Sequence, residues 1–135
     1  MPLTSVQAHA VIAAAESKAA AIGVPVVVAV VDAGVHLQAF SRMDGAVLGS
    51  IDIALKKART SALFHANSEA VWEYCKPGAP APALEFTNDG LAPFGGGVPL
   101  RSVEGELLGA VGVSGGAVAQ DAEIAQAAAA ALAGS

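Results

Sequence analysis

The chain has 135 residues, 54% of them hydrophobic, which is enough to bury one core and reads as a single domain over residues 1–135. Seven basic residues against twelve acidic ones give a net charge of −5, and the longest basic cluster is the pair Lys56-Lys57, which argues against nucleic acid and anionic membrane as partners. No run of about eighteen apolar residues occurs, and the lone Cys75 excludes an internal disulfide and a C-x-x-C metal or redox pair.

The first residues, MPLTSVQAHAVIAAAESK, have neither the basic start nor the continuous apolar segment of a secretory signal, so a cytoplasmic location is expected. Thr4, with Gln7 three residues on, forms a capping-box pattern, and Ala-rich sequence predicts a helix over 4–22, ended by Gly23-Val24-Pro25. VVVAVVD, residues 26–32, is a β-branched run too short for a helix and predicts a buried strand entering a turn at Ala33-Gly34. Beyond it VHLQAFSR alternates, with Val35, Leu37, Ala39 and Ser41 assigned to one face and His36, Gln38, Phe40 and Arg42 to the other. The two strands predict a hairpin.

From Gly49 to Ala66, Ile51, Leu55, Ala58 and Ala62 recur at helical spacing, and Asp52 and Lys56 form an i,i+4 pair on the outer side. A short helix over 68–74 follows. Residues 76–97 hold four prolines and five glycines without a sustained period, and a loop of that length in a small domain usually has a function. VPLRS and ELLGAVGVS then predict a second hairpin, and AVAQDAEIAQAAAAALAG a closing helix. Every strand pairing is achievable through short turns, which gives an α+β fold with one antiparallel sheet of four or five strands and helices over at least one face. The apolar content comes from Ala, Val, Leu and Gly, with only one Trp, one Tyr and four Phe. Such side chains leave flat faces, for which self-association is the expected outlet.

Gly112-Val113-Ser114-Gly115-Gly116 matches G-x-S-x-G, the turn that presents a serine nucleophile in α/β-hydrolases. All three histidines, His9, His36 and His65, precede Ser114, whereas that class places its histidine after the serine. A structural reading follows. Gly115 and Gly116 permit a sharp exit from the strand, Ser114 or its neighbours cap the last helix, and free N–H groups there could receive a carboxylate or phosphate. Phe94-Gly95-Gly96-Gly97 lacks the Gly-Lys-Ser/Thr ending of a nucleotide loop and suits close approach of backbone to a flat ligand or a neighbouring chain.

The histidines lack metal-site spacing, yet an axial ligand needs only one imidazole with its second nitrogen hydrogen-bonded. His36, assigned to one face with Phe40 and Arg42, combines ligand, apolar wall and cation in a way that suits a propionate-bearing tetrapyrrole. His9 on the first helix is the other candidate, facing a groove between helices or subunits. His65 at a helix end reads as a dipole contact, and Asp32 as a turn former through its side-chain oxygen. Lys57, Arg59 and Thr60 are either a solvated helix face or an anion contact.

GVPVVVAVVDAGVHLQAFSRMDGA, SIDIALKKARTSALF, FGGGVPL and GELLGAVGVSGG followed by QD together resemble the GlcG/HbpS-like family, also called the haem-degrading domain family, over nearly the whole chain. The resemblance implies a profilin-like fold with a five-stranded antiparallel sheet, homo-oligomers that include octamers, and haem binding in several members. One departure is that Gly34-Val35 stands where many relatives have Gly-Gly. The leading expectation is therefore a haem- or tetrapyrrole-binding homo-oligomer with His36 or His9 on the iron, His36 being the principal candidate. Its pocket would be walled by the first hairpin, Lys57, Phe94, Gly95, Gly96 and Gly97, and the turn Ser114-Gly115-Gly116. Two readings stand beside it. One is a metal-free catabolic enzyme that binds a substrate carboxylate at Lys57 and Arg59, with Asp32, Asp89 or Glu85 as general base. The other is a structural or sensory module that binds a partner protein.

Overall fold

The computed structural model describes residues 1–132. Helix α1 (Ser5–Ile22) begins at the predicted capping box: Gln7 N–H donates to Thr4 Oγ1 at 3.1 Å, and Thr4 N–H to Gln7 Oε1 at 2.9 Å. It ends at Gly23 in the left-handed conformation, φ 74°, whose N–H returns to the carbonyls of Ala19 and Ala20. Strands β1 (Val27–Asp32) and β2 (Leu37–Arg42) form the first hairpin, followed by α2 (Ser50–Phe64) and α3 (Ser68–Cys75). Strands β3 (Gly97–Arg101) and β4 (Leu107–Ser114) form the second, and α4 (Val118–Ala130) closes the described chain. The predicted end of that last helix, at Gly134, lies outside the described residues. Among the described residues no helix is long and apolar enough to cross a membrane.

The fold is α+β: one antiparallel sheet in the order β2-β1-β4-β3, with β1 and β4 at its centre. It has four strands where the resemblance implied five. The loop between α3 and β3 adds none, because its prolines cannot donate to a ladder, and it folds as turns with one 3-10 turn at Leu84–Phe86. Helices cover both faces. On one, α1 and α4 bury Val26, Val28, Val30, Val111 and Val113 beneath Val11, Ile12 and Ile124. On the other, α2 lays Ala54, Ala58 and Ala62 against Val27, Ala29, Val31 and Ala110.

The first hairpin departs from simple alternation. Val30 pairs with Ala39 but Val31 with Leu37, so Gln38 is an extra residue, a β-bulge. Leu37 thereby joins Phe40 and Arg42 on the α2 side of the sheet, since their partners Val31, Ala29 and Val27 all face α2. His36 passes to the other side, beside Leu3 and Leu108. The expected common face of His36, Phe40 and Arg42 is therefore corrected by one inserted residue. α2 does not extend over β2, and Leu37, Phe40, Val47 and Leu48 remain exposed.

The approach of α2 to the sheet is set by missing side chains. A Cβ on Gly112 would lie 2.1 Å from the Ala54 carbonyl and 2.5 Å from the Ala58 nitrogen, and one on Gly97 would lie 2.4 Å from the Lys57 carbonyl. All are backbone atoms of a helix, which cannot step aside locally. Gly112→Ala is expected to cost about 3 kcal/mol, the upper end of overpacking penalties. Gly49→Ala, at a helical φ of −58° with open space around it, is expected to gain about 0.5 kcal/mol. Urea denaturation of the two variants checks both; equal stabilities would refute the close-packing account.

Candidate functional site

At the end of the sheet where β1 and β3 begin and β4 finishes, Lys57 leaves α2 and runs past Gly96. Its Nζ donates to the Val113 carbonyl at 2.8 Å and to Asp121 Oδ2 on α4 at 3.1 Å. Lys57 is 1% exposed and Asp121 2%. Burial pushes the lysine below its usual pKa of 10.5, and the Asp121 carboxylate recovers only part of that shift. The expected solvated helix face is corrected accordingly: Thr60 is also buried, with its hydroxyl receiving Ala92 N–H at 3.0 Å. The anion that Lys57 contacts belongs to the protein itself.

The triple glycine is what allows this. A Cβ on Gly96 would lie 2.7 Å from Lys57 Nζ and 2.5 Å from the Val113 carbonyl, and its φ of 127° suits only glycine. Phe94 lies across the ammonium, with Nζ 5.0 Å from the ring centroid. Ser68 anchors the loop by donating to the Phe94 carbonyl at 2.6 Å and accepting Gly97 N–H at 2.8 Å. Outside this tie lies an apolar groove of 540 Å³, lined by Trp72, Pro93, Phe94, Gly95 and Val118 with Glu69 and Glu73 at its rim.

The Ser114 turn contributes in a different way from the one expected. Ser114 Oγ donates to Ser50 Oγ at 3.2 Å, facing the start of α2 and no histidine. α4 is capped instead from within: Gly116 N–H donates to Asp121 Oδ1 and Ala117 N–H to Gln120 Oε1, each at 2.9 Å. These N–H groups, expected to be open to an anion, already have acceptors. Gly115, with φ 146°, abuts the Pro25 carbonyl.

His36 lies at the opposite end of the sheet, just past the β1–β2 turn. Its Nδ1 is 3.2 Å from Asp32 Oδ1 and 3.3 Å from Oδ2, and its side chain is 81% exposed. Burial would raise the Asp32 pKa, but the N–H groups of His36 and Gly34 and the imidazole beside it outweigh that and hold it below 3.8. The ring borders a hollow of 440 Å³ between the first residues and the start of β4, with Pro2, Leu3, Leu107 and Leu108 as apolar walls and Glu106 at the side. His9 is exposed on the outer face of α1, with Nδ1 2.8 Å from the Ser5 carbonyl. His65 caps α2 in the left-handed conformation, and its carbonyl accepts from Arg101 at 2.8 Å.

The expected pocket thus divides in two. Lys57, Phe94, Gly95, Gly96, Gly97, Ser114, Gly115 and Gly116 gather at one end, His36 stands at the other, and Phe40 and Arg42 line the open flank of β2. Among the described residues no cluster of three His, Cys, Asp or Glu could hold a metal ion. Sequence reasoning missed Asp121, the partner of Lys57. Its signal was a carboxylate in register with Ile124, Ala125 and Ala128, on the buried face of an otherwise Ala-rich helix.

Residues 3–130 match the family model described as haem degrading protein HbpS-like. Over 114 residues the chain is 42% identical to a 15.0 kDa protein from the dhaT-dhaS intergenic region of Citrobacter freundii, covering 84% of this chain and 80% of that one. It is 38% identical to the corrinoid adenosyltransferase PduO of the same organism, covering 98% of this chain but spanning only 39% of PduO. The crystal structure of a PduOC:haem complex superposes with a TM-score of 0.91 at 37% identity, covering 97% of this chain and 95% of that one.

The buried pair yields a stability test. Lys57→Met strands the Asp121 carboxylate and is expected to cost about 3–5 kcal/mol, the usual penalty for breaking a buried pair. Adding Asp121→Asn removes the stranded charge and keeps an acceptor for Gly116, so the double variant should be the more stable of the two. Thermal and urea melts of both measure this; a double variant no more stable than Lys57→Met would refute the pairing.

Proposed function

The chain belongs to the HbpS-like family of haem-degrading proteins, and from that premise we propose that it binds haem through an imidazole on the first hairpin. One observation carries the reading: His36 stands exposed at the border of a hollow partly walled by apolar side chains, with Nδ1 held by a carboxylate, which leaves Nε2 as its free nitrogen. That is the arrangement of ligating histidines generally, where a second-shell acceptor orients the ring. The residues at this end fit the group. Gly34 lacks the Cβ that would strike His36 Cε1 at 2.8 Å, and Pro2 and Leu107 offer apolar surface to a flat macrocycle above the buried Leu3 and Leu108. Haem, when bound, supplies an iron centre for redox or oxygen chemistry. The chain's part is to hold it by one axial nitrogen and shield one edge from water.

His9 is the second candidate ligand, with Nδ1 on a backbone carbonyl, but its convex helix face would need another copy of the chain to enclose a ligand. We extend the proposal to a cytoplasmic homo-oligomer of up to eight subunits, supported by the exposed apolar side chains Leu37, Phe40, Val47 and Leu48. Phe40 and Arg42 then act at that contact or beside a ligand shared across it. A catalytic site for carboxylates at Lys57 and Arg59 has less support, because the Lys57 ammonium already faces Asp121 and Arg59 donates to the Asn88 carbonyl at 3.2 Å.

Hemin titration followed by absorbance tests the reading. The wild-type chain should shift the Soret band, His36→Ala should lose the shift, and His9→Ala should keep it. No shift with the wild-type chain overturns haem binding; loss confined to His9→Ala moves the ligand to the face of α1.

A further inference from the structure

The turn between β1 and β2 commits every part of one carboxylate. Asp32 Oδ1 accepts the backbone N–H groups of Gly34 and His36, each at 2.9 Å, while Oδ1 and Oδ2 lie 3.2 and 3.3 Å from His36 Nδ1. The two backbone bonds fix the carboxylate in the turn, so it cannot swing away from the ring without breaking them. Asp32 also accepts Val35 N–H through its main-chain carbonyl at 3.0 Å, holding a β-branched residue at a left-handed φ of 69°. The lack of a Cβ on Gly34 lets the imidazole fold back onto the carboxylate.

The chemistry of the contact is one-directional. An ionised carboxylate only accepts, so the hydrogen lies on Nδ1; a neutral imidazole has one N–H, so Nε2 is bare. We infer that Asp32 is the positioning residue of the haem ligand: it holds His36 in the Nδ1–H tautomer and so makes Nε2 the nitrogen available to iron. This rests on His36 being the ligand proposed above. It gives Asp32 a part that a turn former alone would not have.

Asp32→Asn separates the two parts. Asparagine's carbonyl oxygen can keep both backbone bonds, and with them the turn. Its NH2 then replaces Oδ2 beside Nδ1 and can donate to it, while the oxygen that stays 3.2 Å from Nδ1 is now a neutral carbonyl already receiving two backbone N–H groups. The hold on the Nδ1–H tautomer therefore loosens toward Nε2–H, the direction an amide in place of an orienting carboxylate takes in catalytic triads. A residue that serves only the turn would tolerate this exchange.

The measurement is long-range proton–nitrogen NMR of the haem-free chain near pH 8, above the usual imidazole pKa of about 6.5, with His36→Ala assigning the signals. Wild-type His36 is expected as Nδ1–H, and Asp32→Asn with a larger share of Nε2–H and hemin affinity lowered about 10- to 100-fold, the range for lost second-shell partners. Nε2–H at His36 in the wild-type chain overturns the inference and needs no variant to fold. So does a folded Asp32→Asn that binds hemin as tightly as wild type. A wild-type chain that takes up no hemin overturns the haem proposal, and the ring tautomer in the same sample still decides whether Asp32 sets it.

Discussion

An ammonium group without water has to find its solvation in the protein, and here that requirement organises one end of the fold. Lys57 satisfies it with a strand carbonyl and a carboxylate from the helix on the far side of the sheet. To reach them it must pass the sheet where β3 has not yet begun, which is why backbone without side chains runs through residues 95–97. The same geometry needs α2 seated low on the sheet, and Gly97 and Gly112 provide that seat. Phe94 then covers the charge and becomes a wall of the outer groove. The groove is thus a by-product of burying a cation, which explains why its lining is apolar while its foundation is ionic.

The other end of the sheet works by the opposite logic. Neither the carboxylate nor the imidazole there is deeply buried, and their order comes from a short turn in which Asp32 receives several hydrogen bonds. The His36 ring is exposed yet oriented, a combination suited to meeting a ligand from solvent. The sheet separates the two ends, with β1 and β4 running the full distance between them. The residues expected to share one pocket therefore fall into an internal tie and an outward-facing ligand.

Local chemistry in the sequence was readable, and non-local chemistry was not. The Thr4–Gln7 box, the hairpin turns, the Asp52–Lys56 pair and the order of helices and strands each depend on neighbours within a few residues, and each stands where the pattern put it. Lys57 read as a solvated residue or as a contact for a ligand's anion, and not as half of an internal pair, because its partner lies 64 positions away, and neither residue announces the other. The face of His36 was misassigned because strict alternation cannot foresee an inserted Gln38. GVSGG spelled a nucleophile turn, but a hydroxyl's role depends on what it touches, and Ser114 touches another serine. The family resemblance read from four ordered blocks held, since spacing across a whole chain encodes contacts that a pentapeptide cannot.

Both borders of the sheet are blunted. β3 carries Pro99, which has no N–H to offer, and its register shifts at Leu100/Arg101; β2 carries the Gln38 bulge. Neither outer strand is a straight template on which a further strand could grow. Copies of this chain would therefore meet through side chains, as in the patch of Leu37, Phe40, Val47 and Leu48. A side-chain contact in which the same patch serves both copies would be complete with two, where strand-on-strand growth would leave a free border at each step and no natural end.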